Sequence, residues 1–220
     1  MNKKMLKSSN IFFWSFIMQS FLKISSIFII SLLFFACSLH YKSDKDLQNE
    51  LDIANSCKNK SLKLEMSCYD LIAYKSSFAN IRLGIYELKI GESKSAKKRF
   101  ELAKESGNFY ANALLANLYE NAIATKEDRV FAIKLLQEVE YKDPIAAYKI
   151  SFYYFSNDNI KKGIKLLEFA AKSGVKEAQK ELVLIYTNKQ YVPENSEKSM
   201  YYDTLYQGKK EDFSVKIYGK

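Results

Sequence analysis

Only one histidine, His40, occurs in the 220 residues, and it falls in the polar stretch SLHYKSDK ahead of the first predicted helix. The folded part is therefore left without the commonest general base. Proline occurs twice and glycine seven times, so little in the chain interrupts a helix. Three cysteines and that one histidine do not assemble a zinc ligand set, and no metal or other cofactor is expected. No phosphate-cradling glycine loop and no paired-carboxylate spacing stands out either. Acids are missing from the first 37 residues, where Lys3, Lys4, Lys7 and Lys23 lie, so the formal charge of +9 overstates the basicity of the rest, which carries +5. There Lys and Glu alternate, as in KSAKKRFELAKE, the pattern of a solvated helix face rather than of a nucleic-acid surface.

What the chain does have is Lys, Glu, Leu, Ala and Ile in the proportions of a single all-helical domain. Its organising stretch is Gly163 to Tyr186, GIKLLEFAAKSGVKEAQKELVLIY. Gly163, Leu166, Leu167, Ala170 and Ala171 fall at helical spacing, and Gly174 stands where a left-handed cap ends a helix. Ala178, Leu182 and Tyr186 then repeat every four residues on one face of a second helix. Small residues let the backbones approach, and the larger ones fill the space between neighbouring pairs.

The same unit recurs. Ala111, Leu115 and Tyr119, then Ala146, Ile150 and Tyr154, then Ala178, Leu182 and Tyr186 have anchors 35 and 32 residues apart, and a looser copy at Ala79, Leu83 and Tyr86 precedes them by 32. The companion helices carry Ala96, Phe100, Ala103 and Gly107, then Ala132, Leu136, Val139 and Asp143, then Gly163, Leu167, Ala170 and Gly174. A period in the thirties with two helices per unit is the mark of an α-solenoid. Over roughly residues 78 to 207 the pattern resembles the Sel-like repeat (SLR) branch of the tetratricopeptide (TPR) superfamily, whose motif runs A-x-x-x-L-G-x-x-Y, a loop, then A-x-x-x-hydrophobic-x-x-A-A-x-x-G. The sequence departs from that motif where Ala116, Ser151 and Val183 replace its glycine, which Gly84 retains, and where Asp143 replaces a turn glycine. The resemblance implies a right-handed all-α solenoid of about five antiparallel helix pairs, with SLR/TPR-like repeats over 77–208.

Residues 1–37 begin with lysines, continue through apolar runs and end in LFFAC. Such a segment is a secretory signal, and LFFAC resembles a lipobox in which Cys37 becomes the lipidated first residue. Met18 offers a second start. An uncleaved anchor over 11–36 is the rival, at the cost of burying Lys23. Both place the repeats outside the cytoplasm, in a bacterial cell envelope: on the outer membrane facing the periplasm, or held to the inner membrane. Residues 38–45 read as a flexible tether.

Residues 46–76 read as an N-terminal helical hairpin, with Ser43 and Asp46 as a capping box and Ser61 opening its second helix. On one helix Cys57 and Cys68 would stand about 16 Å apart, too far for a disulfide. A turn near Asn59 brings them together, so a disulfide and two buried thiols are the alternatives. SLR proteins of some bacterial envelopes also staple repeats with cysteine pairs, usually at a shorter spacing. At the other end, the charged tail 209–220 either caps the last pair or stays loose.

Repeat solenoids recognise partners on the face lined by the first helix of each pair. Tyr148, Phe152 and Phe155, with Lys149 and Tyr153 beside them, form an aromatic stripe that is either core or candidate partner groove, for Tyr unites apolar area with a polar tip. The expected function is non-catalytic: an envelope lipoprotein that holds a protein or peptide partner and scaffolds a complex. The alternative is a cell-wall-directed hydrolase or penicillin- or peptidoglycan-binding SLR protein. Ser95-x-x-Lys98 and Ser173-x-x-Lys176 match S-x-x-K, but S-D-N and K-T-G companions are missing.

Overall fold

The computed structural model describes residues 41–58, 61–121 and 126–219. The expected leader 1–37 with Cys37, the start of the tether and Asn59 lie outside the described residues. Eleven helices and no strand occur among the described residues. Helices α1 (Asp44–Asn55) and α2 (Leu62–Ile72) form the N-terminal hairpin. Four pairs follow: α3 (Ser77–Lys89) with α4 (Ser93–Glu105), α5 (Ala111–Asn121) with α6 (Lys126–Gln137), α7 (Pro144–Ser156) with α8 (Ile160–Ser173), and α9 (Lys176–Thr187) with α10 (Ser196–Gln207); α11 (Phe213–Tyr218) comes last. No helix among the described residues is long and apolar enough to cross a membrane.

The helices begin and end where local chemistry dictates. Asp143 caps α7 by accepting from the Ile145 N–H at 2.8 Å, and Pro144 follows at the first helical position, where its missing N–H costs nothing. Asn159 caps α8 in the same way through the Lys162 N–H, and Gly174 ends it at φ +105°, a left-handed conformation that glycine adopts without strain.

In the four repeat pairs each helix packs most extensively against its partner and then against the neighbouring pair, as a stack requires, whereas α1 and α2 each pack more against α3 than against one another. The small motif residues Ala111, Ala146, Ala170 and Ala178 are fully buried, and Leu115, Ile150 and Leu182 fill the spaces between them. Burying each such Leu or Ile contributes about 1.5–3 kcal/mol. Gly163 is needed for close approach, since an added Cβ would lie 2.3 Å from the Phe155 ring.

The motif tyrosines do more than fill space. The Tyr154 hydroxyl donates to Glu140 at 2.8 Å, and Lys162 reaches the same carboxylate at 2.7 Å and the same hydroxyl at 2.6 Å. One pair later the arrangement repeats: Tyr186 donates to Glu168 at 2.9 Å, and Lys198 lies 3.0 Å from both. In each clasp the tyrosine comes from the first helix of a pair and the lysine from the second, while the glutamate comes from the turn after α6 in one and from α8 in the other. Tyr119 breaks the series, packing edge-on against Phe131 at 4.9 Å with Lys97 over its ring.

At the N-terminal end, Cys57 and Cys68 are joined as a disulfide with Cα atoms 5.7 Å apart, so the hairpin turn does bring them together. Two expectations are corrected. The described part of the tether, 41–45, is not loose: the Lys42 N–H donates to Gly107 O at 3.0 Å, the Tyr41 ring stands edge-on to Phe109 at 6.0 Å, and α1 already begins at Asp44. Its polar sequence hid the one ring that finds a buried neighbour. The tail is not loose and does not close over the last pair: Asp212 touches that pair only at the start of α9, and α11 goes on to pack against α3.

Candidate partner-binding face

Helices α3, α5, α7 and α9 are the first members of their pairs. The stripe lies on α7, between α5 and α9. Tyr148 and Phe152 are half-buried, with rings edge-on at 5.2 Å. The Tyr148 hydroxyl is held above its usual pKa by burial and, secondarily, by Glu177 and Glu181 on α9. On the other side of the stripe, Lys149 extends toward Asn117 of α5, Nζ to Oδ1 3.5 Å. Tyr153, one turn beyond Lys149, is 36% exposed.

Phe155 does not belong with them. It is only 4% exposed, stacks on Tyr191 with centroids 4.4 Å apart and covers Gly163. Helical spacing puts Phe155 in line with Tyr148 and Phe152, but the glycine opposite makes a slot that takes the ring into the core. The stripe is therefore divided: Phe155 packs inside, while Tyr148, Lys149, Phe152 and Tyr153 keep surface.

The serine–lysine pairs have other partners or are simply exposed. Ser173 donates its hydroxyl to Phe169 O at 2.9 Å, and Lys176 spends its ammonium on the carbonyls of Leu205, Tyr206 and Gly208, closing the end of α10. Ser95 and Lys98 lie exposed on α4. Among the described residues no group of three or more His, Cys, Asp or Glu could hold a metal ion.

The same first-helix face is crossed by the tail. The Asp212 carboxylate accepts from the Lys176 N–H at 3.1 Å and caps α11 through the Ser214 N–H at 2.6 Å, while the Phe213 N–H donates to Gly174 O at 3.0 Å. The Phe213 ring then stands 6.1 Å from Tyr110, at the start of α5. Tyr218 donates its hydroxyl to Tyr110 O at 3.2 Å, and burial, with Asp143 and Tyr110 adding to it, raises its pKa well above the ordinary value. Gly219 ends the described chain against Arg82 of α3.

Two buried polar groups lie near this crossing. Arg82 donates to Asn55 Oδ1 at 2.7 Å and Tyr69 OH at 3.2 Å, tying α3 to both hairpin helices, while its Nε has no partner. Asp143 is fully buried; burial pushes its carboxyl up to about 7, against the pull of the Ile145 and Ala146 N–H groups and of Lys149. Its Oδ2 has no hydrogen-bond partner.

Sequence reasoning missed Phe213, Ile217 and Tyr218. Their i, i+4, i+5 spacing within a charged tail was the available signal. It also missed the buried amides next to the motif alanines: Asn80 donates to Ala73 O at 3.0 Å, Asn112 to Leu135 O at 2.9 Å and Gln179 to Ala171 O at 2.9 Å. An amide recurring one residue after the anchor was the clue.

No protein-family model matches the sequence, and neither does any curated protein. Among solved structures, that of a protective antigen present in uropathogenic Escherichia coli strains, described as displaying an SLR fold, is similar with a TM-score of 0.56 at 22% identity. The match covers 73% of this chain and 38% of that one, so this chain spans well under half of the other's length. Stacked pairs, recurring anchors and this likeness together give the chain a Sel-like repeat fold.

Proposed function

We propose that this protein is a non-catalytic, lipid-anchored scaffold of a bacterial cell envelope, holding a protein or peptide partner on the face lined by the first helices of its pairs. The observation that carries the reading is the surface kept on α7 by Tyr148, Lys149 and Phe152, with Lys149 extending toward Asn117 of α5 and the charges of Glu177 and Glu181 on α9 felt at Tyr148. Aromatic rings beside a flexible cation suit a peptide or protein surface, where a few such residues dominate affinity. The bond between Cys57 and Cys68 supports an oxidising compartment, in keeping with export and a lipid on Cys37.

Two experiments test the two halves of this reading. Capturing partners with the unaltered chain, with Phe152→Ala and with Val130→Ala, whose site is exposed on α6, should give a discrete protein lost only with Phe152→Ala. Equal capture by all three removes α7 from recognition. Cys37→Ala should release the protein from the membrane fraction or leave it unprocessed, whereas unchanged processing and attachment contradict the anchor.

A further inference from the structure

The tail fills its site incompletely. Between it and α1 lies a hollow of about 120 Å³ bordered by Leu47, Leu51, Phe78 and Ile217. Between it and the bodies of α3 and α5 runs a groove of about 400 Å³ bordered by Ile85, Leu88, Leu114 and Tyr218. Ile217 is the one buried residue of 209–219; Phe213 and Tyr218 are half-buried, and 208–211 are exposed. With six residues, α11 is far too short to persist as a helix alone. A short segment on an exposed connection, held by a few hydrogen bonds and one buried aliphatic side chain, with a mixed hollow on one side, where Asp44, Gln48 and Lys216 also line it, and an apolar groove on the other, has the features of a placeholder.

We propose that the channel along α3 and α5 docks an amphipathic helix of a partner protein, and that residues 212–219 occupy it in the free chain as a tethered competitor. This rests on the reading of the first-helix face as the interaction surface and names the occupant of its covered part. The tail displays the chemistry the channel accepts: a carboxylate on the Lys176 N–H, an aromatic ring against Tyr110, then an aliphatic and an aromatic residue four and five positions on. A partner helix with that pattern and another turn or more would also fill the groove between Ile85, Leu88 and Leu114. Because a short connection holds the tail at millimolar effective concentration, only a partner with the larger contact displaces it. The tail thus sets a threshold for binding.

The probe is a fluorescent peptide of residues 209–220, KKEDFSVKIYGK, followed by anisotropy against the full chain. Ile217→Asp, which unseats the tail without altering the channel walls, should raise affinity for the peptide at least tenfold, and adding Leu114→Glu should abolish the gain. Equal affinity of the Ile217→Asp and unaltered chains, at unchanged helix content, overturns the proposal. Hydrogen exchange on the unaltered chain needs no variant: amides of 214–218 should exchange at least a hundredfold faster than those of α3 and α5. Exchange as slow as in α5 makes the tail a fixed part of the fold and overturns the proposal too. Partner capture that depends on Phe152 but is unchanged by Ile217→Asp leaves the scaffold standing and removes the tail's role.

Discussion

In α7, α8 and α9 the surfaces that meet are made of residues with little side chain: Gly163, Ala146, Ala147, Ala170, Ala171 and Ala178, all buried, with Leu166, Leu167 and Leu182 between them. The hairpin at the other end is assembled differently. Its α2 leaves Leu62, Leu64 and Leu71 at 59, 60 and 74% exposed, and Tyr74 in the turn that follows is 80% exposed. It is held by the Cys57–Cys68 bond, by Arg82, and by Arg99 reaching Asp70 at 3.0 Å. Glu50 ties α1 down by accepting from the Ser77 N–H at 2.8 Å. Helices α7, α8 and α9 each pack against a helix on either side and so draw their stability from apolar burial. The end hairpin has one neighbour, buries less, and depends on a covalent link and specific polar contacts.

The largest break in that contrast comes from Leu182→Ala in the inner stack. Its side chain is fully buried, so truncation should cost about 4 kcal/mol, read by thermal or denaturant unfolding. Leu71→Ala, at the exposed end, should stay within about 0.5 kcal/mol in the same assay. Removing the staple by Cys57→Ala with Cys68→Ala should cost about 3 kcal/mol. Hydrogen exchange should place that loss in α1 and α2, with α8 and α9 unchanged; uniform acceleration would erase the distinction.

The next effect is a pH dependence that belongs to the inner region. Because the folded Asp143 carboxyl is raised from 3.8 to about 7, the folded chain holds this proton more tightly than the unfolded chain does. The contribution is fully present below pH 3.8 and is lost as pH rises through about 7. Asp143→Asn keeps an N-cap acceptor, gives the unpartnered position a neutral group and flattens this slope. At pH 8 it should stabilise by about 1–2 kcal/mol, with little gain at pH 4. The smallest effect is that of Tyr186→Phe, which removes one clasp hydroxyl at a cost of about 1 kcal/mol.

The regular part of this molecule was legible because packing alone decides it: anchors such as Ala146 and Ala178 must be small, and spacing announces them. The clasps were half legible. Tyr154 and Tyr186 stood out as motif residues, but the Glu and Lys partners sit at different distances in sequence, 14 and 8 residues away in one and 18 and 12 in the other. Phe155 was left open between core and groove because periodicity shows which residues share a face and does not show the glycine slot opposite one of them. The tail's path was hidden for a further reason: Phe213 and Tyr218 meet Tyr110 across more than a hundred residues, a contact that no local pattern encodes.

The scaffold reading is tested most directly by mapping hydrogen exchange on the chain alone and with its captured partner bound. Slowed exchange should concentrate in α5, α7 and α9, around Tyr148 and Phe152, leaving α4, α6 and α8 as they were. Protection confined to the second helices, or none anywhere in the stack, would contradict it.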